Sequence, residues 1–310
     1  MIRRLKYIWL LIQKRSKNIK LPLFDGLSLY DVTSFFFQGI REGQITNRAA
    51  SISYSFFIAL FPGIIFLFSL IAYIPIENFD QEVFWLLSIV LPPDTYEAAK
   101  TTIDDILKHK RPDLLSVGFL FALFFATNGI NALLSNLGNT IHKLENRSFL
   151  RQQMVSIGLT VFLSIVFLIG MIIIIFSSDV LNTLLGYINL DSVSTVMVDV
   201  VRYGLMVILT LLTIAILYNI GPSKGREWKF ISPGAILATL LILLTSFGFS
   251  YYISNFSQYN KLYGSIGTLL VILLWIYVNA LLLIIGFELN ASMASAKYSN
   301  KKILELKNLE

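Results

Sequence analysis

Residues 259–291 read YNKLYGSIGTLLVILLWIYVNALLLIIGFELNA, and this stretch decides the fold. Between Ser265 and Leu289 it is almost wholly apolar. About twenty such residues, rising 1.5 Å each in a helix, cross the roughly 30 Å hydrocarbon core of a bilayer. The run opens on Tyr263-Gly264-Ser265, carries Trp275 and Asn279 in its interior, and closes on a carboxylate, Glu288.

The rest of the chain repeats that pattern. Of 310 residues, 55% are hydrophobic and 14% charged, against about 25% charged in soluble domains. The apolar residues come in blocks of span length, so the expected fold is all-α: a polytopic membrane protein with six transmembrane helices. The spans are placed at about 49–74, 114–137, 154–176, 201–220, 231–253 and 265–289. A transmembrane barrel would alternate in polarity over roughly ten-residue segments, a pattern this sequence lacks. There is no cysteine, which excludes disulfides and thiolate metal sites. No cleaved signal peptide is expected, because the apolar stretch 7–12 is short and runs directly into Lys14, Arg15, Lys17 and Lys20.

Residues 1–44 form a basic segment with an interfacial helix. Ser28 followed by Asp31 has the spacing of a capping box, and Leu29, Val32, Phe36 and Ile40 then share one helical face. Such a helix lies flat at the membrane surface. The basic cluster before it serves as a topological anchor, with anionic lipid as a possible partner and nucleic acid as the reading set aside. Residues 75–113 should form an outer amphipathic loop with two short helices broken at Pro92-Pro93. Residues 45–292 make the membrane domain, and 293–310 a cytoplasmic tail. Six spans bring both ends to one side. Nineteen Lys and Arg fall on that side and five on the other, with Arg202 at the edge of span four completing the 25. The positive-inside rule therefore makes both termini cytoplasmic, which in a bacterium places the chain in the inner membrane.

Enzyme chemistry has little to work with. His109 and His142 fall on opposite sides of the membrane, and no zinc pair, P-loop or nucleophile elbow is present. No metal, cofactor or catalytic residue is expected. The polar residues within spans say more, because burying them in lipid is unfavourable. Asn128, Asn131, Ser135 and Asn139 step by three, four and four along span two and share one face. Asn279 adds an amide in span six, and Pro62 removes a backbone donor from span one and should kink it. Ser51 and Ser55 share a face of span one. The asparagine face reads equally as a polar cavity lining or as interhelical hydrogen bonding. Glu288 and Arg48 lie at the same depth, so they can pair across the bundle. Otherwise Glu288 reaches cytosolic water.

Several segments together resemble a known family. Tyr263-Gly264-Ser265-Ile266-Gly267, Trp275-Ile276-Tyr277 and Gly286-Phe287-Glu288-Leu289-Asn290-Ala291 are similar to the C-terminal signature of the BrkB/YihY family of bacterial inner-membrane proteins. Arg48-Ala49-Ala50, Tyr54 and Leu60-Phe61-Pro62 match the start of its first span. Leu91-Pro92, the Asn131 and Asn139 region, Arg147-Ser148-Phe149, Tyr218, Pro222, Trp228 and Pro233-Gly234-Ala235 follow in order. The chain departs from the pattern at Asn279, where a small or hydroxyl residue is usual, at Phe287, where Ala is usual, and in the extra serines Ser51, Ser53 and Ser55. The resemblance implies a six-span envelope protein, linked with virulence in some bacteria. It also brings a ribonuclease-like label for which the sequence supplies no nuclease site. Two functions are expected from these features. One is a transporter or lipid- or amphiphile-translocating protein with a polar intramembrane cavity. The other is a non-transporting scaffold that binds envelope partners or anionic lipid.

Overall fold

A computed structural model describes residues 26–71, 100, 104, 112–140, 147–186, 195–221, 230–254 and 257–307. Within them the chain forms seven helices: α1 (Leu29–Glu42), α2 (Ile45–Ile71), α3 (Pro112–Gly138), α4 (Phe149–Gly186), α5 (Thr195–Ile220), α6 (Pro233–Ser254) and α7 (Ser257–Lys307). Five of them, α2, α3, α4, α5 and α7, are long and apolar enough to cross a membrane; in α6 the apolar stretch described is shorter, Pro233–Phe249. Of the outer loop 75–113, expected to hold two short helices, Lys100 and Asp104 are helical and 112–113 open α3; the rest of it, with His109, and His142 lie outside the described residues.

Neighbouring helices pack in sequence. α2 lies on α3, α3 on α4, α4 on α5, α5 on α6, α6 on α7 and α7 back on α2, which closes a ring of six. Contacts run antiparallel between neighbouring helices, Arg48 with Asn136, Arg147 with Ile220 and Gly234 with Gly286, so the starts of α2, α4 and α6 share one end with the finishing turns of α3 and α5. The Glu288 turn of α7 lies at that end too. The core sits there. In α3 the buried apolar side chains are Ile130, Leu133, Leu134 and Leu137, all in its second half, and in α5 they are Ile214, Ala215, Leu217 and Tyr218. In α4 and α6 they fall in the first half, at Leu159 and at Ala235 and Ala238, while α7 adds Ala280, Ile284 and Phe287. The opposite half of the ring buries few of its described side chains, among them Ser69.

The helix ends obey local chemistry. Ser28 caps α1 by accepting the Asp31 N–H at 3.1 Å, the arrangement the Ser28/Asp31 spacing predicts. Val32 is fully buried, and with Leu27 it packs on Met293 and Ala296 of α7. The amphipathic face of α1 is therefore covered in part by protein. Pro233 opens α6 at the first helical position, where a missing N–H leaves no bond unmade. α7 does not stop at 289 as the span placement expects. It runs through the 292/293 boundary to Lys307, because no glycine or proline follows Gly286 and the residues beyond it include good helix formers such as Ala291, Ala294 and Ala296. α4 likewise runs on to Gly186, beyond the expected end at 176.

Candidate functional site

Glu288 is a carboxylate with no solvent exposure, flanked on α7 by the buried Ile284, Phe287, Ala291 and Ser292. A charge in such a place requires a partner. Arg48, in the first turn of α2, supplies one: its Nη1 lies 2.5 Å from Glu288 Oε1. The other carboxylate oxygen, Oε2, accepts from Thr140 Oγ1 at 2.9 Å. Arg48 is itself only 6% exposed. Its Nε donates to the Asn136 carbonyl at 2.8 Å and its Nη1 to the Gly43 carbonyl at 3.2 Å. Both carbonyls lie at helix C-termini, where partial negative charge collects and attracts a cation. One guanidinium thus joins the end of α1, the start of α2, the end of α3 and the middle of α7.

A second knot lies beside it. Asn290 Oδ1 accepts the Gly234 N–H at 2.8 Å and its Nδ2 donates to Ser232 Oγ at 2.7 Å. Ser232 in turn accepts from the Ala235 N–H at 3.3 Å, so Asn290 and Ser232 together cap α6. Tyr218 Oη donates to the Leu283 carbonyl at 2.6 Å, and its ring stands edge-on to Phe287 with centroids 5.4 Å apart. At the start of α4, Arg147 Nη2 donates to the Ile220 carbonyl at the C-terminus of α5. Partial burial and, after it, the neighbouring Arg151 push the Arg147 guanidinium below its ordinary range.

The expected site residues divide between two levels. Arg48 and Glu288 meet, as their shared depth allows, and Glu288 faces the bundle instead of the cytosol. Asn139 lies at the same end, in a cavity of about 390 Å³ beside Arg48. Ser135 is exposed on α3. Asn128 and Asn131 lie one to two turns deeper and are half-buried. The Asn131 Oδ1 is buried without a partner among the described residues, and so is the Oγ1 of Thr127, one turn away. Asn279 is half-buried and donates to the Trp275 carbonyl of its own helix at 2.8 Å. Pro62 sits inside α2.

Of the C-terminal signature, Tyr263, Gly264 and Ser265 fall in the early turns of α7, with side chains outside the described set, whereas Gly267 is buried. Trp275 stacks on Phe249 of α6 at 4.6 Å, and Tyr277 packs half-buried against the core. Gly286 and Asn290 are spent on α6. Sequence reasoning passed over Asn136, which stands off the asparagine face. Its Nδ2 donates to Ser51 Oγ at 3.2 Å, making Ser51 a contact between helices. Thr140, Ser232 and the Tyr218 hydroxyl were also missed, because their partners come from distant segments.

These contacts differ in expected weight. Asn290→Ala removes two interhelical contacts and a helix cap, and should lower stability by about 1–2 kcal/mol. Asn279→Leu, whose amide bonds only its own helix, should shift it by no more than about 0.5 kcal/mol. Thermal unfolding of the detergent-purified variants measures both.

Comparison with known proteins fits this architecture. The family model described as Virulence factor BrkB matches residues 36–308. The chain is 30% identical over 258 residues to the ribonuclease-like protein YfkH of Bacillus subtilis, covering 83% of this chain and 92% of that one. It is 24% identical over 263 residues to a UPF0761 membrane protein of Tolumonas auensis, covering 84% of each. A UPF0761 membrane protein of Xanthomonas campestris shares 33% over 85 residues, which is 27% of this chain and 20% of that one. No solved structure matches. With a family match spanning both the Arg48–Glu288 pair and the Asn290 cap, the chain belongs to the virulence factor BrkB family of membrane proteins.

Proposed function

We propose that this protein is a transporter that moves an amphiphile or another polar substrate through a cavity inside the helix ring, with six spans and both termini cytoplasmic. α6 is the fifth span in chain order and brings the number to six; its helix of 22 residues is about 33 Å long at 1.5 Å per residue. The excess of Lys and Arg on the side of the termini supports the orientation. The observation that carries the reading is the level at which packing changes. On the cytoplasmic side Leu134, Leu137, Tyr218, Ile284 and Phe287 are buried together and fill the ring. Immediately above that plug lie the orphaned Thr127 Oγ1 and Asn131 Oδ1. Buried polar atoms without partners are unfavourable in a dry interior and call for water or a ligand. A vestibule that opens outward and ends on this polar floor satisfies them.

The absence of native cysteine makes a direct test simple. Single cysteines are introduced by Asn128→Cys, Asn131→Cys and, within the plug, Ile284→Cys, and a membrane-impermeant maleimide is applied from the outer side. Asn128→Cys and Asn131→Cys should label at least tenfold faster than Ile284→Cys. If both floor positions are as protected as Ile284→Cys, there is no aqueous cavity and the scaffold reading replaces the transporter.

A further inference from the structure

We infer that the corner between α1 and α2 is a binding site for a phosphate-type oxyanion. The cavity of about 390 Å³ lies at this corner, and among the described residues no hydrophobic side chain lines it. Its lining residues include Asn47, Asn136, Asn139 and Arg48. Arg48 is more than nine-tenths buried, with Nε and Nη1 committed to Asn136, Gly43 and Glu288. Its Nη2 is buried and has no partner among the described residues. A buried cationic donor left without an acceptor is destabilising, and what it lacks is an oxygen.

The backbone points the same way. Gln44, at φ 47°, turns the chain so that α2 starts against this cavity. The first intrahelical bond of α2 runs from the Arg48 N–H to the Gln44 carbonyl. The amides ahead of it stand at the positive end of the helix with no acceptor inside it, and no acidic residue occupies this turn. Asn47 and Asn139 are exposed and add neutral donors.

The charge balance limits which anion fits. Glu288 offsets Arg48, so the site attracts an anion through N–H groups and not through net charge. Glu42 also lines the cavity, held by Gln38 Nε2 at 3.2 Å. A carboxylate there disfavours a multiply charged guest and suits a phosphate ester carrying a single charge. In the proposed topology the corner lies at the cytosolic membrane surface, the level of lipid phosphates. The shared chemistry is a phosphate oxyanion, from a lipid headgroup or free in the cytosol. The inference stands on the cavity and does not require transport.

The test uses the full-length protein in uncharged detergent, with its thermal midpoint followed by tryptophan fluorescence. Inorganic phosphate and, separately, phosphatidylglycerol in mixed micelles are added, with sodium chloride and phosphatidylcholine as controls. A ligand that binds only the folded state raises the midpoint as its concentration passes the dissociation constant. A rise of several degrees is expected with one or both phosphate probes and not with the controls. Asn47→Asp and Asn139→Asp place a carboxylate in the cavity at exposed positions, and each should keep the unliganded midpoint and lose the rise. A rise with phosphatidylglycerol alone assigns the site to lipid headgroups; a rise with both assigns it to the free oxyanion as well. No rise with either probe, an equal rise with the controls, or a rise that survives both substitutions overturns the inference.

Discussion

Gly286→Val is expected to leave almost no folded protein in the membrane. A Cβ at this position would lie 2.6 Å from the Gly234 carbonyl oxygen, 2.6 Å from Tyr218 Oη and 2.7 Å from the Ala238 Cβ. Two of those three atoms cannot step aside, being backbone or a Cβ on the facing helix. α6 and α7 would have to separate by about an ångström or more. Separation then breaks what the close approach makes possible: the bonds from Asn290 to Gly234 and Ser232, and the bond from Tyr218 to the Leu283 carbonyl. Overpacking alone costs about 1–3 kcal/mol, and loss of these three short bonds, two of them part of the α6 cap, adds a few more. That total is comparable to the stability of an ordinary domain, about 5–15 kcal/mol. Gly234→Val should behave the same way, since a Cβ there meets the Gly286 carbonyl and the Asn290 side chain. Gly158→Val and Gly248→Val are the controls, because nothing lies within 4 Å of a Cβ at either position. Membrane-fraction abundance and thermal midpoint in detergent separate the two pairs. If Gly286→Val accumulates normally with an unchanged midpoint, α6 and α7 do not cross at these glycines.

The sequence carried the helices more plainly than the contacts between them. Apolar blocks of span length placed α2 through α6 to within a few residues at the ends that share the core, because a bilayer imposes length as well as polarity. The span expected at 265–289 follows the apolar run, whereas the helix itself continues to Lys307, because helix formers without glycine or proline continue beyond it. Glu288 and Arg48 could be matched by depth alone, as each is a lone charge in an apolar run at the same level. Depth does not give rotation about the helix axis, so it could not say that Glu288 points inward. The helical wheel grouped Asn128, Asn131, Ser135 and Asn139 on one face and so excluded Asn136, yet Asn136 reaches Ser51 and its carbonyl receives Arg48. Interhelical pairs depend on which neighbour the face meets, and a single helix does not contain that information.

Glu288→Ala should destabilise the protein by about 3–5 kcal/mol, the range for removing one partner of a buried ion pair. The loss arises less from missing attraction than from what remains. Arg48, 6% exposed, would keep its charge with no carboxylate opposite. Arg48→Ala should cost as much, because it strands Glu288 at zero exposure and also uncaps the Asn136 and Gly43 carbonyls. Replacing both, as Arg48→Met with Glu288→Leu, removes both buried charges at once and should cost clearly less than the two single losses added together. It will not recover fully, since the two helix-end carbonyls stay uncapped. A double-mutant cycle on thermal stability measures the coupling, and losses that simply add would remove the pair from the account of the fold. The same double variant also separates architecture from mechanism. If the pair only fastens α2 to α7, the variant should complement a deletion strain in proportion to the folded protein it yields. If the pair must open for the packed end of the ring to part, the variant folds and accumulates but fails to complement, because a hydrophobic contact offers no charge for a substrate or ion to compete with.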